Sequence, residues 1–370
     1  MKTKTTDRLA SLDALRGFDM FWIAGGALMV SALAKTGHSG FIEWLNVQTE
    51  HVEWNGFHFF DMIFPLFLFI AGVTFPFSLR KRRANGQSSG QIYKHIITRG
   101  LVLVFLGIVY NGLFRFDFDN LRYASVLGRI GLAWMFAALI VMNANIRWQA
   151  IWCAAILLAY WAILMLIPVP GYGAGVLTVD GSIVGYVDRM LLPGKLYLGV
   201  HDPEGILSTI PAISTALLGM LTGHLLKIKN VTLSPNKKLG IMAGAGVVFI
   251  LLSLLWNLVL PINKNLWTSS FVMTTAGFSL LFLSFFYLVM DIWHIKWWAF
   301  PFVVIGLNPI TIYLAQAGMI SFTATAQYFF GGLIRFAPEA NQPFWSALAY
   351  FLVSWLFLYF LYRKKIFLKV

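Results

Sequence analysis

The chain has 370 residues, of which 59% are hydrophobic and only 12% charged, and its formal net charge is +13. A soluble protein carries about twice that charged fraction, so the composition excludes an ordinary soluble protein and indicates one embedded in a lipid bilayer. The positive charge does not indicate a nucleic-acid partner, because the basic residues fall in short clusters between apolar runs, as in membrane proteins.

Apolar runs long enough to cross a bilayer recur along the chain. A spanning helix needs about 20 apolar residues, and these runs are continuously apolar rather than alternating, which argues against strands. The predicted spans lie at roughly 14–34, 57–79, 95–114, 124–143, 149–168, 205–226, 239–260, 267–290, 299–319 and 344–362. The sequence thus predicts an all-α, polytopic membrane helical bundle of about ten transmembrane helices, forming a single domain over residues 1–370.

The distribution of charge predicts the orientation of the bundle. The basic clusters 80–83 and 363–365 lie in segments assigned to the cytoplasm, whereas most acidic residues lie in the opposite segments. Both termini are then cytoplasmic, and the longest loop, 169–204, is external. The first apolar run is interpreted as a retained helix, since no small-residue cleavage site follows Leu28. The apolar segment 320–343 is interpreted as re-entrant or interfacial.

A polar cluster at the start of the second span is the first candidate site. Histidine can take and return a proton near neutrality, so His51 is a candidate base. Asp61, ten residues later, could orient the imidazole. The alternative is a loop histidine and a carboxylate favoured by the helix dipole.

Two further external segments carry polar side chains. Asp202 and Glu204 flank a proline at the predicted start of a helix, where an N-cap and a first-turn acid also explain them. Asn263, Lys264 and Asn265 form a hairpin that could bind hydroxyl groups or an anion, or could be a plain turn.

Several polar residues lie inside predicted spans. An arginine in a span usually faces a bundle interior or water, so Arg129 is a candidate anion-binding residue. Asn308 precedes Pro309 and could instead satisfy a carbonyl freed by a helix break. Asp19 is expected to be paired. The seven histidines are dispersed and the single cysteine is Cys153, so no metal site is expected.

A series of short blocks resembles a known family, the heparan-α-glucosaminide N-acetyltransferase-like membrane acyltransferases. The blocks, in chain order, are Ser11-Leu12-Asp13-Ala14-Leu15-Arg16-Gly17, His51 with Trp54-Asn55-Gly56 and Asp61 with Phe64-Pro65, Leu127-Gly128-Arg129, Pro168-Val169-Pro170-Gly171, Gly185-Tyr186-Val187-Asp188-Arg189, Asp202-Pro203-Glu204-Gly205-Ile206-Leu207, Asn263-Lys264-Asn265-Leu266-Trp267 and Tyr362-Arg363-Lys364-Lys365-Ile366-Phe367. Each is weak alone, but together they cover nearly the whole chain.

The resemblance implies transfer of acetyl from cytoplasmic acetyl-CoA to an external amine, with His51 at the position of the family's catalytic histidine. An asparagine that the lysosomal enzyme uses in its first matching span has no counterpart here, where the sequence reads Ile23-Ala24-Gly25-Gly26-Ala27. We also expect the chain to lack the luminal N-terminal domain of the lysosomal members, since its sequence begins almost directly at the matching core.

We therefore expect an acetyl-CoA-dependent N-acetyltransferase of a bacterial inner membrane that acts on a glucosamine-type amino sugar. A homodimer is a further partner state that the sequence allows. His51 is expected to be the base or the acetyl carrier. The other expected site residues are Asp61 and Asn55 for catalysis, Trp54, Asp202, Glu204, Asn263, Lys264 and Asn265 for the acceptor, and Arg129, Arg16 and Asn308 for acetyl-CoA. The alternatives are a transporter of a small polar or sugar-like solute and a purely structural membrane protein.

Overall fold

The computed structural model describes residues 9–37 and 39–368, and within them the regular structure is helical. Nine helices of this part are long and apolar enough to cross a membrane. The all-α, polytopic membrane bundle is thereby confirmed, and the protein is an integral, multi-pass membrane protein. Residues 1–8, which carry part of the basic N-terminal segment, lie outside the described residues.

The α-helices of the described part are given in chain order, with the π and 3₁₀ turns that extend them. They are α1 (Ala10–Phe21), a π turn (Trp22–Gly26), α2 (Ala27–Ala34), α3 (Gly40–Gln48), a 3₁₀ turn (Phe59–Met62), α4 (Ile63–Ala84), α5 (Ser89–Tyr110), α6 (Val126–Asn143), α7 (Ile146–Leu166), α8 (Ile183–Leu191), α9 (Ile206–Lys227), α10 (Pro235–Asn257), α11 (Ser269–Tyr287), a π turn (Leu288–Ile292), α12 (Phe300–Gly306), α13 (Pro309–Leu314), a π turn (Ala315–Met319), α14 (Phe322–Arg335) and α15 (Gln342–Arg363).

These helices form two compact units. The first unit contains the described residues up to 52, residues 58–63 and residues 282–368, and the second contains residues 53–57 and 64–281. The first unit thus holds α1–α3 and α12–α15, whereas the second holds most of α4 and all of α5–α10. The single domain expected from the sequence stays a prediction.

Close backbone contact between α1 and α12 organises the first unit. A Cβ on Gly17 would lie 1.6 Å from the carbonyl oxygen of Phe302, and one on Gly306 would lie 2.1 Å from that of Asp13. Small residues permit this approach, as is common between membrane helices. Gly25, in the π turn after α1, has a φ of 139°, which bends the first span where the sequence predicted a continuous helix.

The predicted span 299–319 is a broken helix, interrupted at the asparagine and proline where the sequence indicated a break. Helix α12 ends at Gly306 and α13 begins at Pro309, because proline has no N–H to continue the ladder. The amide of Asn308 occupies the break: Nδ2 donates to the carbonyl of Ile366 (3.0 Å), and Oδ1 accepts from the backbone N–H of Leu368 (3.2 Å). The side chain of Asn308 thus ties the C-terminal segment to the break in this helix.

Helix α14 lies in the segment that the sequence left without a spanning helix. Its 14 residues extend about 21 Å, too short for a bilayer core. The re-entrant or interfacial placement of segment 320–343 stays a prediction.

Glycine contacts fix the helix directions in the second unit. A Cβ on Gly219 of α9 would lie 2.1 Å from the carbonyl oxygen of Phe69 in α4, and one on Gly223 would lie 2.3 Å from that of Val73. The positions increase together, so α4 and α9 run in the same direction. Helices α5 and α6 run in opposite directions, since the hydroxyl of Tyr93, near the start of α5, donates to Asn143 at the end of α6 (2.8 Å).

Candidate active site

His51 and Asp61 form a hydrogen-bonded pair in the first unit. Nδ1 of His51 lies 2.8 Å from Oδ1 of Asp61. The carboxylate is buried, with 2% of its side chain exposed, whereas 53% of the histidine side chain is exposed. A carboxylate accepts a hydrogen bond from Nδ1–H and so favours the tautomer in which Nε2 is the proton acceptor. The exposed imidazole of His51 can therefore act as a base, and the buried carboxylate of Asp61 holds it in place.

The start of the second span holds Asp61 in place. Asp61 belongs to the 3₁₀ turn before α4, and its Oδ2 accepts from the backbone N–H groups of His58 (3.0 Å) and Val52 (3.4 Å). The preceding turn is tied back as well, since Gln48 accepts from the N–H of Phe59 (3.1 Å). The carboxylate thus serves as a helix cap and as the partner of the imidazole.

The asparagine pair of the second unit joins two distant segments. Nδ2 of Asn263 donates to Oδ1 of Asn55 (3.0 Å), and Oδ1 of Asn263 accepts from the N–H of Leu266 (2.8 Å). Asn265 donates to the carbonyl of Glu53 (3.3 Å). The predicted hairpin is therefore a buried turn whose amides bind the segment that follows His51 in sequence.

Trp54 and Lys264 complete the predicted set on these two segments. The indole N–H of Trp54 donates to the carbonyl of Leu177 (2.8 Å), and its ring lies edge-on to that of His201, with centroids 5.6 Å apart. Lys264 is half-buried. The contacts of Trp54 are with the loop 169–204, which the sequence predicts to lie on the same face as Trp54.

Asp202 and Glu204 are held by an arginine that sequence reasoning did not single out. Arg122 binds Asp202 through two hydrogen bonds of 2.8 and 2.6 Å, and it also binds Glu204. Burial alone would lower the pKa of Arg122, but the bonds to the two carboxylates outweigh it and raise the pKa above its ordinary value. Two-pronged pairing of this kind is strong and directional.

Arg129 lies in the first turns of α6 and is almost fully buried, with 1% exposed. Its Nη2 donates to the hydroxyl of Ser208 in α9, and its guanidinium lies over the indole of Trp267, 4.7 Å from the ring centroid. Its Nε and Nη1 have no hydrogen-bond partner among the described residues. A buried cation with unused N–H donors can bind an anionic or carbonyl oxygen.

A buried acid and a buried histidine lie beside this arginine. Oδ2 of Asp188 is 4.0 Å from Nδ1 of His201, and Oδ1 of Asp188 accepts from the N–H of Ile206 at the start of α9 (3.0 Å). Burial raises the pKa of Asp188 to about 6 and lowers that of His201 to about 4. Nε2 of His201 lies 3.1 Å from the carbonyl of Asn265, which can only accept, so Nε2 carries the proton.

The remaining predicted residues have contacts of other kinds. Arg16 of α1 lies 3.6 Å from Asp13, one turn earlier. The amide of Asn308 binds the backbone of the C-terminal segment, a structural contact other than the freed helix carbonyl that the sequence suggested. Their expected roles in binding acetyl-CoA stay predictions. The described residues bring no three His, Cys, Asp or Glu side chains together in a group that could hold a metal ion.

The sequence reasoning missed Ser208 and Trp267 as partners of Arg129, and it missed His201 and Asp188 as a pair. Arg122 was counted only as an external charge. Asp188, Ser208 and Trp267 stand in or beside the short blocks quoted above, which is the signal that could have drawn attention to them. The partner of each residue is distant in sequence and follows from helix packing.

Comparison with known proteins gives two curated relatives. The chain is 26% identical to heparan-alpha-glucosaminide N-acetyltransferase of Homo sapiens over 98% of its own length and 60% of that protein. It is 27% identical to the protein of the same name from Mus musculus, over 98% of its length and 61% of that protein. The chain therefore spans about three fifths of the length of these relatives. No family model matches it.

The similarity extends over nearly the whole chain, as do the blocks on which the resemblance rests. This similarity agrees with both the polytopic helical architecture and the sequence blocks. Over nearly its whole length, this chain is therefore similar to the heparan-alpha-glucosaminide N-acetyltransferases, the family that its motifs resemble.

Proposed function

We propose that this protein transfers acetyl from cytoplasmic acetyl-CoA to the amino group of an external, glucosamine-type amino sugar. The observation that carries the proposal is the 2.8 Å contact between His51 and Asp61, which gives an exposed imidazole a buried carboxylate partner. The relatives support the reaction class, since their name is that of an N-acetyltransferase. The bacterial inner membrane is the proposed location.

The proposed chemistry assigns proton transfer to His51. An amine attacks a thioester only as the free base, so Nε2 of His51 accepts the proton that the amine loses as the nitrogen–carbon bond forms. The carbon–sulfur bond then breaks, and the imidazolium returns the proton to the CoA thiolate. Asp61 stabilises the transient imidazolium, since it is anionic and already bonded to Nδ1.

His51 can also act as an acetyl carrier. In that course Nε2 attacks the thioester and CoA leaves, after which the amine takes acetyl from the imidazole. Initial rates at several acceptor concentrations separate the two courses, because a carrier gives parallel double-reciprocal lines and a direct transfer gives intersecting ones.

The acetyl donor is proposed to engage Arg129. Its buried Nε and Nη1 donors suit a carbonyl or phosphate oxygen, and Trp267 covers one face of the guanidinium. The oxyanion role of Asn55 and the acceptor contacts of Trp54, Asp202, Glu204, Asn263, Lys264 and Asn265 stay predictions. Apart from Lys264, these side chains are already held by the contacts described above, and Asp202 and Asn263 are buried.

The experiment is a CoA-release assay on purified protein in lipid nanodiscs. A thiol reagent reports released CoA with little background, because the single cysteine, Cys153, is buried. Glucosamine and other amino sugars serve as acceptors. We expect release with an amino sugar but not with its N-acetylated form, and loss of release in His51→Gln. His58→Gln is the matched control, since it removes a second imidazole seven residues away.

Two outcomes would overturn the proposal. Full activity in His51→Gln would contradict the role of His51 as the base. Absence of acetyl-CoA-dependent CoA release with every amino sugar tested would contradict the proposed reaction. A transporter would instead show solute uptake into proteoliposomes and no rise in melting temperature with acetyl-CoA, because a ligand stabilises only the native state it binds.

A further inference from the structure

One end of the second unit carries basic residues without acidic ones on the same helices. The segments 64–116, 126–179 and 205–281 contain no aspartate or glutamate. The acidic residues of this unit all lie in other segments, at Glu53, Asp117, Asp119, Asp180, Asp188, Asp202 and Glu204. The cations on the helix ends at 80–99 and 224–227 therefore have no counter-ion from their own helices. We call these residues the basic end.

Helix directions bring these cations to one place. Helices α4 and α9 run in the same direction through Gly219 and Gly223, so Arg82 near the end of α4 and Lys227 at the end of α9 lie at the same end. Helix α5 follows α4 after a four-residue turn and begins there too. The basic end is thus a product of packing and not of one charged stretch of sequence.

Arg82 is held in place without being neutralised by its contacts. Its Nη2 lies 2.7 Å from Nε2 of His95, and its Nη1 donates to the side chain of Gln87 (3.1 Å). A guanidinium only donates, so Nε2 of His95 must be the acceptor and the imidazole must be neutral. Both contacts orient the guanidinium of Arg82, and neither neutralises its charge.

Arg99 joins the same group from the next turns of α5. Its guanidinium lies over the indole of Trp134, 4.2 Å from the ring centroid, and Trp134 is buried. Both Arg99 and Arg82 are close enough to His95 to act on it electrostatically, and Arg82 also contacts it directly. Stacking on a buried ring fixes a guanidinium more firmly than exposure to water would.

Lys227 brings a third half-buried cation. Its ammonium is partly desolvated and feels the charges of Arg80 and Arg83. Clustered like charges repel one another, and partial burial strengthens the repulsion by removing water. Such a cluster is costly in isolation and becomes favourable when it binds an anion.

A topology signal alone does not explain this arrangement. Basic residues that mark the cytoplasmic side can extend into water, as Lys81 and Lys229 do. Arg82, Arg99 and Lys227 are instead half-buried, and Arg82 and Arg99 are oriented by other side chains. Oriented guanidinium groups with an ammonium nearby are the usual donors for phosphate oxygens.

We propose that Arg82, Arg99 and Lys227 form a binding site for phosphate groups, and that its ligand is the 3′-phosphate and pyrophosphate of CoA. This assignment rests on the proposed function, since acetyl-CoA is the ligand with this chemistry in the reaction. Anionic lipid headgroups carry the same phosphate chemistry and are the competing source. The site would hold the nucleotide end of the donor at the face assigned to the cytoplasm.

The test measures binding of adenosine 3′,5′-bisphosphate, CoA and dephospho-CoA to purified protein in nanodiscs of neutral lipid. We expect the wild type to bind all three, and dephospho-CoA more weakly than CoA. Arg82→Gln and Lys227→Gln should each weaken adenosine 3′,5′-bisphosphate binding about tenfold or more. Lys229→Gln removes an exposed charge two residues from Lys227 and should change binding less than about twofold.

The comparison of CoA with dephospho-CoA guards against misfolding. A variant that has lost the partner of the 3′-phosphate should bind the two with similar affinity, which a merely unstable protein would not do. Equal binding in all variants, or no binding of adenosine 3′,5′-bisphosphate by the wild type in neutral lipid, would overturn the proposal. Binding of phosphatidylglycerol by the wild type, together with the absence of adenosine 3′,5′-bisphosphate binding, would assign the site to lipid.

The outcome is separable from that of the proposed function. Nucleotide binding needs no acceptor and no catalysis, so it can succeed where acetyl transfer fails. Conversely, CoA release with an unchanged KM for acetyl-CoA in Arg82→Gln would retain the reaction and reject this binding site.

Discussion

Asp61 fixes the imidazole of His51 through a 2.8 Å contact between Oδ1 and Nδ1 while its Oδ2 caps the turn that begins the second span. The same carboxylate thus has a structural and an electrostatic task. In Asp61→Asn an NH₂ group replaces one of the two acceptor oxygens, so either the imidazole or the backbone N–H of His58 loses its acceptor.

We expect Asp61→Asn to lower the rate of CoA release by roughly 10²–10⁴-fold, because the imidazole loses both its tautomer preference and its counter-charge. The melting temperature should fall only modestly, since one oxygen remains to cap the turn. Asp119→Asn removes an exposed carboxylate and serves as the control. Activity near that of the wild type in Asp61→Asn would contradict the role of the pair.

Asp188 and His201 give a second prediction, on stability against pH. The folded-state pKa of Asp188 is raised to about 6, so this group alone makes stability fall as pH rises from about 4 to 6. The folded-state pKa of His201 is lowered to about 4, so this group alone makes stability rise as pH goes from about 4 to 6.5. The two slopes oppose each other over nearly the same range.

Single variants should reveal each slope. Asp188→Asn leaves His201, and its melting temperature should increase from pH 4 to 6.5. His201→Gln leaves Asp188, and its melting temperature should decrease from pH 4 to 6. Each effect is of the order of 2–3 kcal/mol for a shift of about two pKa units. Thermal melts in detergent at several pH values measure this, and slopes of equal sign in the two variants would refute it.

The sequence predicted the His51–Asp61 pair because the information is local. The two residues are ten positions apart, and one lies at the beginning of a helix that hydropathy makes clear. The partner of Asp202 could not be found in this way. Arg122 is 80 residues away, and the two meet only because the external connections pack together. Charge segregation put both on one face but could not choose among the cations there.

The broken span at Asn308 shows a different limit. Because hydropathy is averaged over a window, the apolar run interrupted at Asn308-Pro309 is predicted as one span. The proline predicted a helix break, but the partners of the Asn308 side chain, the backbone groups of Ile366 and Leu368, could not be predicted. A contact across 58–60 residues leaves no pattern in the local sequence.

The helix contact at Gly17 and Gly306 gives a third prediction, on stability. A new Cβ on Gly17 would meet a backbone carbonyl at 1.6 Å, and backbone cannot rotate away as a side chain can. We expect Gly17→Ala and Gly306→Ala each to destabilise the protein by about 1–3 kcal/mol or more, seen as a lower melting temperature.

Gly240→Ala in α10 is the control for these variants. A Cβ there would have nothing within 4 Å, so it adds only helix propensity and should leave the melting temperature equal or slightly higher. A wild-type melting temperature in both Gly17→Ala and Gly306→Ala would mean that α1 and α12 are farther apart than the structure has them.

The buried guanidinium of Arg129 gives the last prediction. Lysine would retain the positive charge but lose the planar fork, and with it the bond to Ser208 and the stacking over Trp267. If Nε and Nη1 bind the acetyl donor, Arg129→Lys should raise the KM for acetyl-CoA about tenfold or more. Ser208→Ala removes a contact of Arg129 without touching those two donors, and its effect on KM should be smaller.

Arg147→Lys, at an exposed position near the start of α7, is the matched control and should behave as the wild type. The melting temperature with and without acetyl-CoA separates binding from folding. A variant that folds but has lost its donor-binding group should keep its basal melting temperature and lose the increase given by acetyl-CoA. A full acetyl-CoA-dependent increase in Arg129→Lys would show that the unpartnered donors of Arg129 do not bind the donor substrate, and the buried arginine would then serve only to join α6 to α9.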